Sequence, residues 1–188
     1  MARGRIAHAI TFTDDVTTTG NATQLYPLGT LRMEETSTSV GVECYRYVQV
    51  DASDVATVAG GLAYRGTSGH SNAITNPWYV TMDVSDANGA WAIGVFQAAV
   101  TDLYFAWIKT KGYQSNLLKT YGSALNWTAG IMLVAGLNAS MDGMARRFTA
   151  VHASTVSQSD IRTMRVVGWT ISTAVSTTHV GKAWIDLE

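Results

Sequence analysis

Hydrophobic and polar residues alternate one by one along much of the chain, a period typical of β-strands with one buried face. The clearest example is residues 40–50 (VGVECYRYVQV), where Val42 and Cys44 share one face and Tyr45 and Tyr47 share the other. Runs of the same kind predict further strands at residues 78–84, 91–100, 103–110, 131–135, 164–175 and 179–187. The hydrophobic pattern therefore predicts a protein built largely from short strands.

Turns are predicted where Gly, Asn, Asp and Ser cluster between these runs. Asn88–Gly89 is a strong hairpin signal, because both residues tolerate positive φ. Further turns or loops are predicted at residues 51–54, 65–77, 101–102 and 141–143, with a short apolar strand at 55–59. Short strands with a turn every ~8–12 residues describe a sandwich or a barrel. The predicted fold class is all-β.

Residues 113–125 fit two interpretations. Tyr113, Leu117 and Tyr121 recur at helical spacing, whereas Gly112 and Gly122 favour strand and turn. We favour a strand here, because glycines inside a helix cost stability and the neighbouring segments all have β periodicity.

Residues 1–24 lack a period of either kind. Their few apolar residues cannot bury one another, so this stretch is predicted to be an extended arm or a disordered tail, and the sequence leaves both open. The remaining residues, 25–188, form the predicted β-barrel-like domain. The arm's basic and apolar residues are candidates for contact with a neighbouring protein: Arg3, Arg5, Ile6, Ile10 and Phe12.

The composition is short of charge. Charged residues make up 14% of the chain, hydrophobic residues 47%, and the net charge is −1. Soluble domains carry about 25% charged residues, so we expect much of this surface to be covered by other protein. No basic face points to nucleic acid, and no run of ~20 apolar residues points to a membrane span. The single cysteine, Cys44, is expected to be a buried small hydrophobe.

No catalytic or metal-binding pattern emerges from the titratable residues. The histidines, at positions 8, 70, 152 and 179, have no partner at metal-ligand spacing. Asp14–Asp15 and Glu34–Glu35 are neighbours that point opposite ways in extended chain, so neither pair can work as an acid and a base on one substrate. Asp83, Asp86 and Asn88 suit a calcium ion or an ordinary turn equally well. We therefore predict a protein that is not an enzyme and needs no cofactor.

Six tryptophans, at positions 78, 91, 107, 127, 169 and 184, are predicted to pack in the core or at a subunit interface, since most lie in apolar strands. Trp127, between Asn126 and Thr128, is the best candidate for exposure. The aromatic residues predicted for the core or an interface are Trp91, Tyr104, Trp107, Trp127 and Trp184.

Two stretches resemble a known family. Tyr26–Thr30 (YPLGT), after a polar N-terminal stretch, resembles the start of the small head-decoration proteins of tailed phages. Residues 92–102 (AIGVFQAAVTD), with Tyr104–Ile108 (YFAWI), are similar to the central hairpin of that family. Ala106 stands where the family usually has glycine, and Gly112 comes slightly late. These motifs are short and structural, and they match residues 25–188 in outline.

The resemblance implies a β-barrel or β-tulip-like module that binds the outer capsid surface as a cement protein, stabilises the expanded head and sits there as a homotrimer. Its partners would be the major capsid protein and further copies of itself, with no nucleic acid and no membrane. It would be assembled in the host cytoplasm and end up on the virion. The N-terminal arm would clamp neighbouring subunits, which adds Tyr26 and Leu28 to the contact candidates.

Two rival functions remain. The first is a head-fibre or tail-associated module that binds carbohydrate or a receptor, and it would need exposed aromatic residues in one patch. The second is an enzyme, which would need a pocket where His152 or His179 meets a carboxylate and a serine.

Overall fold

A computed structural model of the protein describes Phe12 and residues 14–35, 41–66, 76–84, 87–119, 126–135, 142–148, 166–173 and 180–187, with backbone alone for 87–90. Within these ranges the chain forms ten strands and no helix. The strands are β1 (Leu31–Glu35), β2 (Val42–Asp51), β3 (Leu62–Gly66), β4 (Tyr79–Thr81), β5 (Ala87–Phe96), β6 (Phe105–Leu118), β7 (Met132–Ala135), β8 (Ala145–Arg147), β9 (Val166–Thr170) and β10 (Val180–Asp186).

Five of the strands close into a ring. Their order is β2-β4-β3-β5-β6, and β6 pairs back onto β2. The β2–β4 pairing is parallel, and the other ring pairings are antiparallel. Closure leaves these five strands without a free edge, which protects them from pairing with other chains. β1 lies against β2 outside the ring.

The remaining four strands extend the sheet from the second half of β6. β10 pairs with residues 111–118 of β6, and β9, β7 and β8 follow in that order, all antiparallel. We call β10-β9-β7-β8 the second sheet. The long β6 therefore belongs to both parts of the molecule, with its first half in the ring and its second half beside the second sheet.

Alternation along the strands creates two cores. Ala63 of β3 faces the ring interior with Val48, Val80, Phe96 and Ile108, one or more from each ring strand. The flanking residues of β3 point outward and pack against the second sheet, together with side chains from β5 and β6. The members of this outer core include Leu62, Tyr64, Ala92, Val95, Leu117, Trp127, Leu133, Val167, Ala183 and Ile185.

The all-β prediction is confirmed, and most predicted strands are present. The part of the stretch 40–50 from Val42 onward lies in β2, and the strand interpretation of 113–125 holds as far as Leu118. The described part of the turn predicted at 141–143 is a turn, with Gly143 at φ 64°. The alternating pattern did not reveal β1, β3 and β8, which are short and carry polar residues.

Two local predictions are wrong. Asn88–Gly89 lies inside β5 and is not a turn; β3 pairs with β5 on both sides of it, at Ala92 and at Ala87, with a register shift in between. Residues 55–59 form no strand. That loop is held by Thr57, whose hydroxyl accepts a hydrogen bond from the Val100 amide and donates one to the Val100 carbonyl.

Candidate functional site

The N-terminal segment, defined here as Phe12 and residues 14–30, packs on the outside of the ring. Phe12 meets Trp107 edge to face, with ring centroids 5.2 Å apart, and meets Tyr26 in the same way at 5.4 Å. Tyr26 in turn contacts Tyr47 of β2. Aromatic pairs of this geometry stabilise beyond the area they bury. The segment is therefore part of the folded domain.

Asp14 is the polar centre of this contact. Its carboxylate accepts a hydrogen bond from the Trp107 indole Nε1 at 2.8 Å and one from the Tyr26 hydroxyl at 2.9 Å. Arg32 donates to the Asp14 carbonyl oxygen and lies over the Phe12 ring. Asp15, the next residue, turns to solvent and binds Thr17. The two carboxylates point opposite ways, as predicted for extended chain.

Backbone hydrogen bonds hold the rest of the segment. The Asn21 amide donates to the Phe105 carbonyl, and the Phe105 amide donates back to the Asn21 carbonyl, both at 2.9 Å. Gly29 and Thr30 bond to Tyr47 of β2 in the same way. The predicted boundary at residue 24 thus falls within a packed stretch, because the aromatic residues around it find partners on β2 and β6.

The capsid-contact candidates accordingly divide into two groups. Phe12, Tyr26 and Leu28 pack on Tyr45, Tyr47 and Trp107 of their own domain. The other four lie outside the described residues: Arg3, Arg5, Ile6 and Ile10. A contact with a neighbouring protein stays a prediction for all seven, and for the first group it would have to use the surface that the domain leaves free.

The aromatic candidates occupy several environments. Trp107 and Trp127 are buried, and Tyr104 and Trp184 are half-buried. Trp127, predicted for the core or an interface although it was the best candidate for exposure, is fully buried, and its indole packs over Gly181, where even a β-carbon would collide with the ring. Trp91 is 48% exposed and so is not a core residue. An interface role for Trp91 stays a prediction.

A row of large side chains crosses the second sheet. Tyr113 of β6 stands opposite Trp184 of β10, Trp184 opposite Trp169 of β9, and Trp169 opposite Met132 of β7. Trp169 is 43% exposed, and the other three are half-buried. Residues in register on neighbouring strands lie ~5 Å apart on one face of a sheet. We call these four residues the aromatic row.

A β-bulge turns Trp169 toward solvent. Leu133 pairs with Gly168 and Val134 with Val166, so Val167 is an extra residue on β9. Val167 points into the outer core, and Trp169, two residues later, is exposed. Bulges of this kind re-aim side chains. Gly168 has φ 155°, and a β-carbon there would lie 1.9 Å from the Trp184 carbonyl oxygen.

Polar side chains border the row on both sides. Two residues along from Trp184 and Tyr113, Asp186 stands opposite Lys111, with Lys111 Nζ 3.8 Å from Asp186 Oδ1. On the other side of Trp184, Lys182 is exposed. The Tyr113–Trp184 part of the row therefore has both hydrogen-bond donors and an acceptor along its margins.

Other large apolar side chains are exposed on strands and loops. They are Leu25, Met33, Val42, Val58, Trp91 and Leu103, with Ile171 and Val180 at the ends of β9 and β10. Leu103, in the turn before β6, has φ 61°, which a bulky residue seldom adopts. Its amide donates to the Val50 carbonyl, which holds the turn in this conformation.

A buried charge network stabilises β2 and β6. Lys109 Nζ lies 3.0 Å from Glu43 Oε1 and donates to the Tyr113 carbonyl at 2.7 Å. The Tyr45 hydroxyl donates to the same Glu43 carboxylate. Burial, and then this bond to Glu43, raises the pKa of Tyr45 well above its usual range. Cys44, between them, is buried as predicted. Both charges and the Tyr45 hydroxyl therefore have partners within the fold.

Within the described ranges, no three His, Cys, Asp or Glu side chains are close enough to hold a metal ion. Asp86, the side chain of Asn88 and all four histidines lie outside those ranges, so the calcium and enzyme alternatives stay untested there. The part of the chain that the structure describes contains no helix able to cross a membrane.

Sequence reasoning missed Asp14, Tyr113, Met132 and Trp169 as site residues. Asp14 gave no signal, because one carboxylate in a polar stretch does not identify its partners. Trp169 was seen only as one of several tryptophans, and its exposure depends on a bulge that the alternating pattern hides. In comparisons with known proteins, no protein-family model matches the chain, and no curated protein matches it in sequence.

Proposed function

We propose that this chain is a structural virion protein that binds the outer capsid surface of a tailed phage and stabilises the expanded head. The observation that carries the proposal is the spread of exposed apolar side chains over a surface with few charges. They include Met33 on β1 and Trp169 on β9. In the sheet order β1-β2-β6-β10-β9, these two strands are separated by four interstrand spacings. At ~4.8 Å per spacing, the two strands lie about 19 Å apart measured along the sheet.

Several separated apolar contacts suit a subunit that touches more than one neighbour. A protein with a single small ligand needs one concave site, whereas a lattice component presents patches to each partner and excludes charge from their centres. Charged residues are only 14% of this chain. We propose the major capsid protein and further copies of the chain, as a homotrimer, as these partners.

The N-terminal segment supports a clamping role for the residues before it. Phe12 and Asp14 fix one end of the segment on β6. Residues 1–11 start from that fixed point, and their basic and apolar side chains (Arg3, Arg5, Ile6 and Ile10) are proposed to contact a neighbouring capsid subunit. Binding that favours the expanded shell stabilises that shell by mass action.

The proposal is tested by adding purified protein to expanded heads of the phage that encodes it, stripped of this chain. We expect saturable binding at defined lattice positions by electron microscopy and slower loss of DNA on heating. Deletion of residues 1–11 should weaken head binding at least about tenfold and leave the melting temperature unchanged, since the Phe12 and Asp14 contacts remain. Deletion of residues 1–24 also removes the Phe12 and Asp14 contacts, so a loss of head binding in that variant could come from a loss of stability.

Two substitutions test the surface itself. Met33→Ser combined with Val42→Ser removes exposed apolar area without touching the core, and it should lower head occupancy, whereas Ser115→Ala, an exposed polar position on β6, should not. If stripped heads take up none of the wild-type protein, or take up both deletion and surface variants as well as wild type, the capsid proposal is wrong.

The alternative, a head-fibre or tail-associated module for carbohydrate or a receptor, draws on a different observation, the aromatic row. Such a module would bind its ligand as an isolated protein and would not need the capsid surface. Slower loss of DNA from heads that have taken up the protein therefore favours the capsid-stabilising function over the alternative.

A further inference from the structure

The aromatic row is shaped for a narrow, extended ligand. Its four side chains follow one another across β6, β10, β9 and β7, and charged residues lie on both sides of its Tyr113–Trp184 part. Aromatic side chains bury 150–250 Å² each when fully covered. With all four at most about half exposed, the row offers roughly 300 Å². A stable protein interface needs roughly 800 Å² per partner, so the row alone is too small for a protein.

The chemistry of the row favours a sugar chain. The face of an aromatic ring is electronegative, and the flat face of a pyranose presents slightly positive C–H groups. The rim of the same sugar carries hydroxyls that both donate and accept hydrogen bonds. Lys111 and Lys182 can donate to those hydroxyls, and Asp186 can accept from them, all beside the rings.

A single-stranded nucleic acid would use the same stacking surface, but it also needs a positive groove along its backbone. Here the margin on the Asp186 side carries a carboxylate paired with Lys111, which cancels the positive charge. The net charge of the chain is −1. An uncharged polysaccharide therefore fits a margin with both positive and negative side chains better than a polyanion does.

We infer that the aromatic row, Tyr113, Trp184, Trp169 and Met132, is a binding platform for a linear, uncharged polysaccharide. Sugar rings stack on Trp184 and Trp169, while Lys182, Lys111 and Asp186 hydrogen-bond the hydroxyls. The inference does not rest on capsid binding, because the row works equally on a decoration protein or on a fibre. It gives a phage particle a weak, multivalent hold on a polysaccharide surface.

The test is a titration of the full chain with cellohexaose, chitohexaose and maltohexaose. Binding is measured by isothermal titration calorimetry and by tryptophan fluorescence. We expect at least one hexasaccharide to bind with a Kd in the micromolar to millimolar range. Trp169→Ala should weaken that binding at least about tenfold. Trp91→Ala, which removes a similarly exposed tryptophan outside the row, should leave it unchanged.

Tyr113→Leu is a second variant, at the β6 end of the row. It keeps an apolar side chain but removes the aromatic face, so it should also weaken binding, and melting curves will show that each variant is folded. The inference is overturned if none of the three hexasaccharides binds, if both row variants bind as tightly as wild type, or if a matched oligothymidylate binds in their place.

Discussion

Asp14 and Trp107 lie 93 positions apart in the chain, yet the carboxylate of Asp14 accepts a 2.8 Å hydrogen bond from the Trp107 indole. The bond joins the N-terminal segment to the outside of the ring. The rings of Phe12 and Tyr26 also pack against this indole, so aromatic contacts surround the hydrogen bond. A stretch whose few apolar residues cannot bury one another is thereby fixed before the first strand begins.

Loss of the Asp14 carboxylate should destabilise the domain. In Asp14→Ala the Trp107 N–H and the Tyr26 hydroxyl both lose their acceptor, and each lost bond to a buried group costs about 1–3 kcal/mol. We expect the free energy of unfolding in urea to fall by about 2–4 kcal/mol. Asp15→Ala, which loses only the exposed bonds to Thr17, is the matched control and should lower it far less. Equal effects of the two variants would contradict the role assigned to Asp14.

Alkaline pH should destabilise the fold through buried tyrosines. Burial first, and then the negative charges of Asp51 and Asp102, raise the pKa of Tyr79 from 10.0 to about 12. The unfolded chain therefore loses the Tyr79 proton before the folded chain does, and the stability present below pH 10 is lost as the pH rises toward about 12. Urea unfolding at a series of pH values should show this fall, and Tyr79→Phe should make it shallower. An unchanged slope in Tyr79→Phe would refute the assignment.

Gly168 should be intolerant of any side chain. A β-carbon there would lie 1.9 Å from the Trp184 carbonyl, at a φ of 155°. We expect Gly168→Ala to cost at least about 3 kcal/mol or to prevent folding, since backbone must move on β10. At Gly130, φ is also positive but the space is open, so Gly130→Ala should cost only about 1 kcal/mol. Melting temperatures of the two variants give the comparison, and similar values would argue against the bulge geometry.

The pair Lys109–Glu43 should show strong coupling. Lys109→Met leaves the Glu43 carboxylate inside β2 without its cation, and breaking a buried pair on one side costs about 3 kcal/mol. Adding Glu43→Gln removes the stranded charge, so the double variant should recover part of the loss. A double-mutant cycle in urea measures the coupling. If the two losses simply add, the pair does not stabilise the fold as described.

The alternating pattern was enough to place several strands. β2 and the first half of β6 are apolar runs rich in β-branched and aromatic residues, which suit a pleated sheet. They pair with each other over six positions and form one wall of the ring. Shorter strands such as β8 (Ala145–Arg147) have too few residues for a period to be seen. They exist because a neighbour supplies the hydrogen bonds.

Local signals failed where distant contacts competed with them. Asn88–Gly89 has the sequence of a turn, but it lies within β5, which β3 pairs on both sides of it, at Ala92 and at Ala87. Trp127 has polar neighbours, but the second sheet folds over its indole. In each case many long-range contacts outweigh a local preference of about 1 kcal/mol or less.

The amino-acid sequence by itself determined the β class, the positions of the long strands and the shortage of charge, because periodicity and composition are local properties that need no partner. Only the tertiary structure decided that the N-terminal segment packs on Trp107, that a bulge at Val167 exposes Trp169, and that Tyr113, Trp184, Trp169 and Met132 line up. These arrangements depend on the register between strands far apart in the chain. A shift of one residue turns every side chain to the other face of the sheet.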